Sequence, residues 1–413
     1  MRIIVHDYAG HPFQVQLSRR LASRGHEVLH LYCASTHTPR GELQRRADDP
    51  PGFEVRPIAL SAMIPKKNFI RRFCAESEYG GKLVAECERI KADVILSGNT
   101  PSLPQSRLAR WCHNHQVRFV SWVQDIYGLA AYRLLAQKLP GVGHLVGKYF
   151  IALDKSAFRN SDAIVVISED FTEVLAGWGI DRERIHTIHN WAPLDGLPMR
   201  PRDNDWSRAQ GLGPGLRFVY TGTLAMKHNP ALLLELAKIL QKKSLGALIV
   251  VSEGPGVDWL ADRAAKEKIA TLTRLGFQPF ENLPDVLGSA DVLVAILEPD
   301  AGVFCVPSKV LSYLCAGRPV LLAVPRENLV SRIVAAEGAG LGVEPTDLVG
   351  FSAAALELAQ SPELREKAGR AARHYADTHF DIERITDRFE QILRSGAALE
   401  TVHKREGHNV FPA

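Results

Sequence analysis

Short apolar runs recur along this chain, and most are followed by a stretch with helical spacing. In the first half the runs fall at Arg2–His6, Glu27–Tyr32, Phe53–Ile58, Val94–Ser97, Val117–Val123, Ala163–Ser168 and Ile185–Ile188, with helical patterns such as Phe13–Arg24 and Leu103–Gln116 between them. The runs are nearly continuous in Val, Ile and Leu rather than alternating. That is the pattern of strands covered on both faces, so the sheet they predict is parallel. Strand–helix repeats of this kind predict a doubly wound α/β domain. The pattern lapses over residues 192–215, where Pro193, Pro198, Pro201 and Pro214 sit among glycines and mixed charges, a composition that predicts an interdomain linker. It then restarts with strand Leu216–Tyr220, helix Ala231–Lys242, strand Leu245–Val251 and helix Val257–Lys268. Strand Asp291–Leu297, helix Ser308–Cys315, strand Val320–Ala323 and a last helix over Asp381–Arg394 complete the series. The expected organisation is a Rossmann-like domain over 1–191, a linker over 192–215, a second Rossmann-like domain over 216–380, and a C-terminal helix and tail over 381–413. Ligands of such sheets bind at the carboxyl ends of the strands, so the expected site is the cleft between two facing domains.

A length of 413 residues suits two domains. The charge is unevenly spread: residues 1–190 hold 25 Lys and Arg against 19 Asp and Glu, whereas residues 191–413 hold 25 against 27. A basic first half suits an anionic partner, or is simply a solvated surface. The six cysteines form no CxxC pair and several lie in apolar stretches, as small buried thiols do, which points to a reducing compartment. The start Met1-Arg2-Ile3-Ile4-Val5-His6 reads as a strand and not as a signal peptide, and no apolar run approaches the roughly 20 residues needed to span a bilayer. The expected location is cytoplasmic. Residues 64–83 interleave basic and apolar side chains, which suits either contact with an anionic bilayer surface or an amphipathic helix packed on the sheet.

Candidate chemistry gathers at the ends of strands. His6-Asp7-Tyr8-Ala9-Gly10-His11-Pro12 is a strand-to-helix turn in which Gly10 lets a ligand approach a helix N-terminus; a plain turn accounts for it equally. There is no GxGxxG, so a nicotinamide dinucleotide finds no support. Asp125 follows the run Val117–Val123, where a carboxylate either orients a hydroxyl or caps the next segment. In Tyr220-Thr221-Gly222-Thr223-Leu224-Ala225-Met226-Lys227-His228-Asn229-Pro230, a glycine ends the strand and Asn229-Pro230 opens a helix; the lysine and backbone amides suit a diphosphate. Ser252-Glu253-Gly254 forms a second glycine-bearing turn. Ser308 caps a helix ending near Gly317, and Lys309 lies in its first turn, where a cation is unfavourable against the helix dipole. A bound anion would offset that cost. Asp203-Asn204-Asp205 has the form of a DxD metal motif, but its proline-rich surroundings read as a solvated turn; Cys112-His113-Asn114-His115 fits no zinc spacing. No metal site is expected.

These residues carry a resemblance. Arg19-Arg20-Leu21-Ala22-Ser23-Arg24-Gly25-His26-Glu27-Val28, Val123-Gln124-Asp125-Ile126-Tyr127, and Asp203-Asn204-Asp205-Trp206 leading into Phe218-Val219-Tyr220-Thr221-Gly222-Thr223 are similar to the large retaining glycosyltransferase family 4 of GT-B fold. Val306-Pro307-Ser308-Lys309 with Ala316-Gly317-Arg318-Pro319-Val320 resembles it most, and the bacterial exopolysaccharide, O-antigen and colanic-acid glycosyltransferases in particular. The resemblance spans nearly the whole chain. It implies transfer of a sugar from a UDP- or GDP-sugar donor to a lipid-linked or growing polysaccharide acceptor. The donor is a substrate and no cofactor is expected; the basic excess is modest and no recognition motif appears, so no nucleic-acid partner is expected.

By match, Gly10 and His11 lie on the acceptor side, and Asp125 stands where the family places a His or Asp beside the transferred sugar. Lys227 and Lys309 face the donor diphosphate with Pro307 and Ser308; Gly276 and Phe277 lie by the base. Gly222, Thr223, Glu253, Gly254 and Ser312 complete the donor side. The chain departs from the family at Thr223, often an Arg, and at Phe304 and Ser312, where a pair of glutamates usually stands; Glu298 and Asp300 lie nearby. A nucleotide-sugar epimerase of the same fold, or a non-catalytic nucleotide-sugar-binding protein, is the alternative.

Overall fold

The computed structural model describes residues 1–36, 42–65, 68–299, 302–303 and 306–395. The chain divides into two compact units, Met1–His189 with Ile382–Ala413, and Asn190–Asp381.

The first unit is built on a parallel seven-stranded sheet: β1 (Arg2–Asp7), β2 (Glu27–Cys33), β3 (Phe53–Ile58), β4 (Val94–Gly98), β5 (Arg118–Val123), β6 (Ala163–Val166) and β7 (Ile185–Thr187). The spatial order is β3-β2-β1-β4-β5-β6-β7, so the winding reverses between β1 and β4. At such a reversal the loops leave on opposite sides and open a place for a ligand. β4 is buried at every position and β1 at all but its first, which is why their sequences are continuous apolar runs.

The second unit carries β8 (Leu216–Thr221), β9 (Gly246–Val251), β10 (Leu272–Leu275), β11 (Val292–Ile296), β12 (Val320–Ala323) and β13 (Gly340–Val343), in the order β10-β9-β8-β11-β12-β13. Its reversal lies between β8 and β11. Leu232, Leu233, Leu236 and Leu240 of the helix Ala231–Lys243 recur at helical spacing and bury one stripe against Phe218, Tyr220 and Leu248. Asn229 does not cap this helix. It takes φ +53° and closes the short turn Met226–His228, leaving Pro230 at the N-cap.

Two expectations about organisation are corrected. The stretch 192–215 is not a free linker, for it belongs to the second unit. Trp206 and Ser207 on the helix Asp205–Ala209 are buried, Arg202 holds Asp291 through Nε at 3.0 Å, and the Arg217 guanidinium reaches Asp203 at 2.8 Å. Asp203-Asn204-Asp205 is the start of that helix rather than a solvated turn: Asn204 is buried, accepts from Ser207 N at 2.8 Å and donates to the Asp285 carbonyl at 2.8 Å.

The second correction concerns the terminal helix, Ile382–Arg394, which packs into the first unit. Ile385, Phe389 and Ile392 line one face at helical spacing, and the Phe389 ring centroid lies 4.6 Å from that of Trp122. Arg24 fastens the outer face, with N···O distances of 2.8 Å to Glu383, 2.6 Å to Asp387 and 3.1 Å to Glu390. Among the described residues no helix is long and apolar enough to cross a membrane.

Candidate functional site

In the first unit the loop after β1 is clamped by a buried carboxylate. Asp7, fully enclosed, accepts hydrogen bonds from Ala9 N at 3.1 Å and from His11 N, and its Oδ1 lies 3.4 Å from His11 Nδ1. Gly10 takes φ +79°, a left-handed conformation that lets the chain turn back over the strand end. Burial opposes both charges of the pair. The His11 hydrogen bond nevertheless holds Asp7 below the usual carboxylate range, and Asp7 holds His11 above the usual imidazole range. A raised histidine stabilises the fold fully below about pH 6.5 and loses that contribution as pH rises through its folded value; a depressed aspartate contributes above about pH 4 and loses it on acidification. The pair is therefore complete between those limits. Asp7→Asn is expected to bring the His11 ring titration down toward or below its ordinary value, read from NMR of the ring protons.

Asp125 follows β5 and is exposed. Desolvation by the surrounding protein raises its carboxyl and His11 pulls the other way; because the side chain meets solvent, water offsets part of the rise. Beneath these loops lies a buried polar network. His6 Nδ1 is 2.9 Å from Ser97 Oγ and His6 Nε2 is 2.8 Å from the Tyr79 hydroxyl, and burial pushes the His6 imidazole down to about 3, so it is neutral and structural. The Cys112–His115 cluster is structural too: Cys112 is buried, and His115 stacks on Trp111 with Nδ1 2.8 Å from that residue's carbonyl oxygen. Among the described residues no group of three or more His, Cys, Asp and Glu is arranged to hold a metal ion.

In the second unit the loop after β8 meets the helix Ser308–Cys315, and the loops after β9 and β10 meet each other beside it at Glu253 and Phe277. Lys309 lies in that helix's first turn. Its Nζ donates to the Tyr220 hydroxyl at 2.9 Å and sits 4.1 Å from the Tyr220 ring centroid. A Cβ placed on Gly222, which takes φ +86°, would lie 3.4 Å from both Cε and Nζ of Lys309. Among the described residues no carboxylate pairs with Lys309, and burial alone lowers its ammonium to about 7. The N-cap is Pro307 rather than Ser308, and it offers no side-chain acceptor to the first turn. The helix thus begins with its amides uncapped by a side chain and with a desolvated cation beside them, two features that favour negative charge. Ser308 is exposed and Ser312, one turn further on, is half-buried.

Tyr313 locks this arrangement to the sheet. Its hydroxyl accepts from Thr221 N at 3.0 Å and donates to the Val294 carbonyl at 3.3 Å, joining the end of β8 to the middle of β11. Neither Tyr220 nor Tyr313 stood out in the sequence; the available signal was a polar-tipped aromatic inside an apolar run, which needs a partner when buried.

Three of the remaining donor-side residues, Glu253, Gly254 and Gly276, line a neighbouring recess of about 290 Å³ together with Ser252, Val257, Asp258, Arg274 and Leu275. Glu253 Oε1 accepts from Phe277 N at 3.2 Å and draws the loops after β9 and β10 together. Gly254 takes φ +122° at the start of the helix Pro255–Lys266, and a Cβ there would lie 3.1 Å from the Leu224 carbonyl oxygen. Thr223 and Phe277 are exposed. Glu298, just past β11, lies 3.3 Å from His228 Nε2, in the turn that carries Lys227. The Lys227 side chain and residues Asp300 and Phe304 lie outside the described residues. A larger recess of about 550 Å³ opens at the amino ends of β11 and β12, beside Asp291, Arg318 and Pro319, and holds none of the predicted site residues.

Comparison with known proteins fits this division. Residues 11–191 match a glycosyl transferase 4-like domain and residues 215–361 match the glycosyl transferases group 1. The chain is 23% identical over 273 residues to the probable glycosyltransferase WbjE of Pseudomonas aeruginosa, and that match spans 66% of each protein. Among solved structures it is similar to sucrose-phosphate synthase from Thermosynechococcus elongatus, with a TM-score of 0.73 and 16% identity over 97% of this chain and all of the other (100%). It is also similar to HepE of Anabaena in complex with UDP-glucose, with a TM-score of 0.69 and 14% identity over 96% of this chain and 100% of that one.

Proposed function

Because the chain belongs to the family 4-type glycosyltransferases of GT-B fold, we propose that it moves a sugar, with retention, from a UDP- or GDP-sugar to a lipid-linked or growing polysaccharide acceptor. The setting would be surface polysaccharide synthesis at the inner face of the plasma membrane. The observation that carries this reading is the Lys309 ammonium, desolvated at a helix N-terminus, 2.9 Å from Tyr220 and without a carboxylate partner among the described residues. The solved HepE complexes hold UDP and UDP-glucose, which supports a nucleotide-sugar donor here.

Expelling a nucleoside diphosphate from an anomeric carbon places negative charge on the leaving oxygen while the sugar becomes oxocarbenium-like. Fixed positive groups that favour the departing diphosphate lower that barrier. Lys309 and the first-turn amides at Ser308 would take this role, with Lys227 as a second cation on the loop after β8, and together they would act in place of a divalent ion. The recess at Glu253, Gly254 and Gly276 would take the nucleoside. With retention, the acceptor hydroxyl attacks from the face the diphosphate leaves, and the leaving phosphate takes the proton. Asp125 and the Gly10–His11 loop would orient the acceptor and the transferred sugar.

A panel of UDP- and GDP-sugars is expected to raise the unfolding temperature for one nucleotide class, and the same donor with a membrane extract as acceptor should release free nucleoside diphosphate. Turnover should persist in excess chelator. An absolute requirement for added divalent cation would contradict the metal-free part of the proposal. Isomerised sugar formed from donor without acceptor would indicate an epimerase instead.

A further inference from the structure

We propose that the helical hairpin Tyr127–Arg159 of the first unit is the surface that seats this protein on an anionic lipid bilayer. The inference rests on the reading above, in which the acceptor is held at a membrane, and adds the part of the molecule that meets it.

The helices Tyr127–Lys138 and Val142–Arg159 pack antiparallel at very short range through glycines. A Cβ on Gly143 would fall 2.0 Å from the Leu135 carbonyl oxygen, one on Gly147 would fall 2.6 Å from Tyr132 Cα, and one on Gly128 would fall 2.8 Å from the Phe150 carbonyl oxygen. The hairpin is therefore a closely knit element. Its inner face is covered: Leu135, Phe150 and Leu153 are buried with Phe73, Leu103 and Val146 against them.

Its outer face is bare. Val142, Leu145 and Tyr149 are 63%, 70% and 47% exposed and recur at helical spacing along one stripe, and Leu139 at the hairpin tip is 54% exposed. Phe69 and Ile70, 43% and 74% exposed, begin the neighbouring helix Phe69–Glu88, and the Phe69 ring lies 5.9 Å from that of Phe150. Single exposed apolar residues are ordinary, but a stripe of large ones marks an interaction surface.

Charge identifies the partner. Tyr127–Arg159 contains five Lys and Arg residues, and its one carboxylate, Asp154, is buried and accepts from Gly128 N at 2.7 Å. Lys138 and Lys148 are exposed beside the stripe, and Arg71 and Arg72 are exposed next to Phe69 and Ile70. The surface is apolar and cationic, with no exposed carboxylate on the hairpin. An anionic bilayer offers both an acyl layer for the stripe and headgroup charge for the lysines, whose long stems reach outward from the apolar zone. The basic segment singled out in the sequence, residues 64–83, divides accordingly. Phe69 to Arg72 are exposed beside the hairpin; Ile64, Tyr79, Gly80 and Leu83 are buried against the unit; and Lys66 and Lys67 lie outside the described residues.

The test is sedimentation of the full chain with vesicles of phosphatidylcholine alone or mixed with phosphatidylglycerol. Two variants are compared, Val142→Asp/Leu145→Asp and Lys138→Glu/Lys148→Glu, with unfolding temperature and nucleoside diphosphate binding confirming that each is folded. Wild type is expected to bind the anionic vesicles, and each variant to bind at least about tenfold less. Undiminished binding by both variants would overturn this surface and leave the membrane reading standing. Wild type that binds neither vesicle would remove both. A wild-type dimer that the apolar variant converts to monomer, without vesicle binding, would assign the stripe to a second copy of the chain and overturn the proposal.

Discussion

Lys309→Ala is expected to lower turnover by about a hundred- to a thousandfold, the usual loss when one preorganised positive or hydrogen-bonding group is removed from a developing anion. The size follows from where the charge is held. A solvated surface lysine would be screened and worth little. Lys309 is desolvated, fixed by Tyr220 at 2.9 Å and set against the face of the Tyr220 ring, so little reorganisation is needed when the diphosphate departs. Lys309→Met keeps the aliphatic stem and removes only the charge, so it should lose as much turnover as the alanine variant. Neither should be unstable, because a half-buried cation without a counter-ion contributes little to folding. Unfolding temperature and steady-state kinetics on the same preparations check both statements. A methionine variant with wild-type turnover would remove the residue from the reaction.

Phe389→Ala is expected to destabilise the protein by about 3–5 kcal/mol, the cost of truncating a fully buried phenylalanine. Phe389 is 0% exposed and its ring meets Trp122, which sits on β5 just before Gln124 and Asp125. The terminal helix is thus a wall of the first unit's core, and Arg24 holds it from the outside through three carboxylates. Denaturant unfolding should show the first transition move by that amount. A change below about 1 kcal/mol, typical of surface positions, would mean the helix is dispensable.

Much of the fold is legible in the sequence for one reason: a parallel strand covered on both faces must be apolar at nearly every position. Val320–Ala323, buried at every position, has the bounds its composition implies, as does the helix Ser308–Cys315. Elements that break that rule are not legible. β10 is Leu272–Leu275, half-buried with an exposed arginine, and β13 is Gly340–Val343, half glycine. The hairpin Tyr127–Arg159 hides behind Gly128, Gly143 and Gly147, which read as breaks but permit close helix packing, and behind Gly141, whose φ of +84° serves the turn between the helices. Proline-rich composition over 192–215 imitates a linker because the burial of Trp206 and the grip of Arg202 on Asp291 are long-range events. The terminal helix has an apolar stripe, but nothing local says that its partner is the first unit.

At the candidate site, Lys309 is legible because a cation in a helix's first turn contradicts the dipole. Its holders are not. Tyr220 and Tyr313 are apolar by pattern, and only the fold brings their hydroxyls to Lys309 and Thr221. Asp7 is similar: a strand-end aspartate followed by Gly10 is a visible signal, but its burial and its hold on His11 depend on the loop's path.

The account turns on an ammonium held near 7 that regains its charge beside a diphosphate. Affinity for the nucleoside diphosphate should therefore be greatest below about pH 7 and fall as pH rises, because the free protein must first bind a proton. Calorimetric titration at pH 8 in buffers of different ionisation enthalpy measures that proton directly. Wild type is predicted to take up close to one proton per bound nucleotide and Lys309→Met to take up none. Proton-neutral binding by wild type, or uptake unchanged in the variant, would contradict the claim that this lysine grips the leaving group.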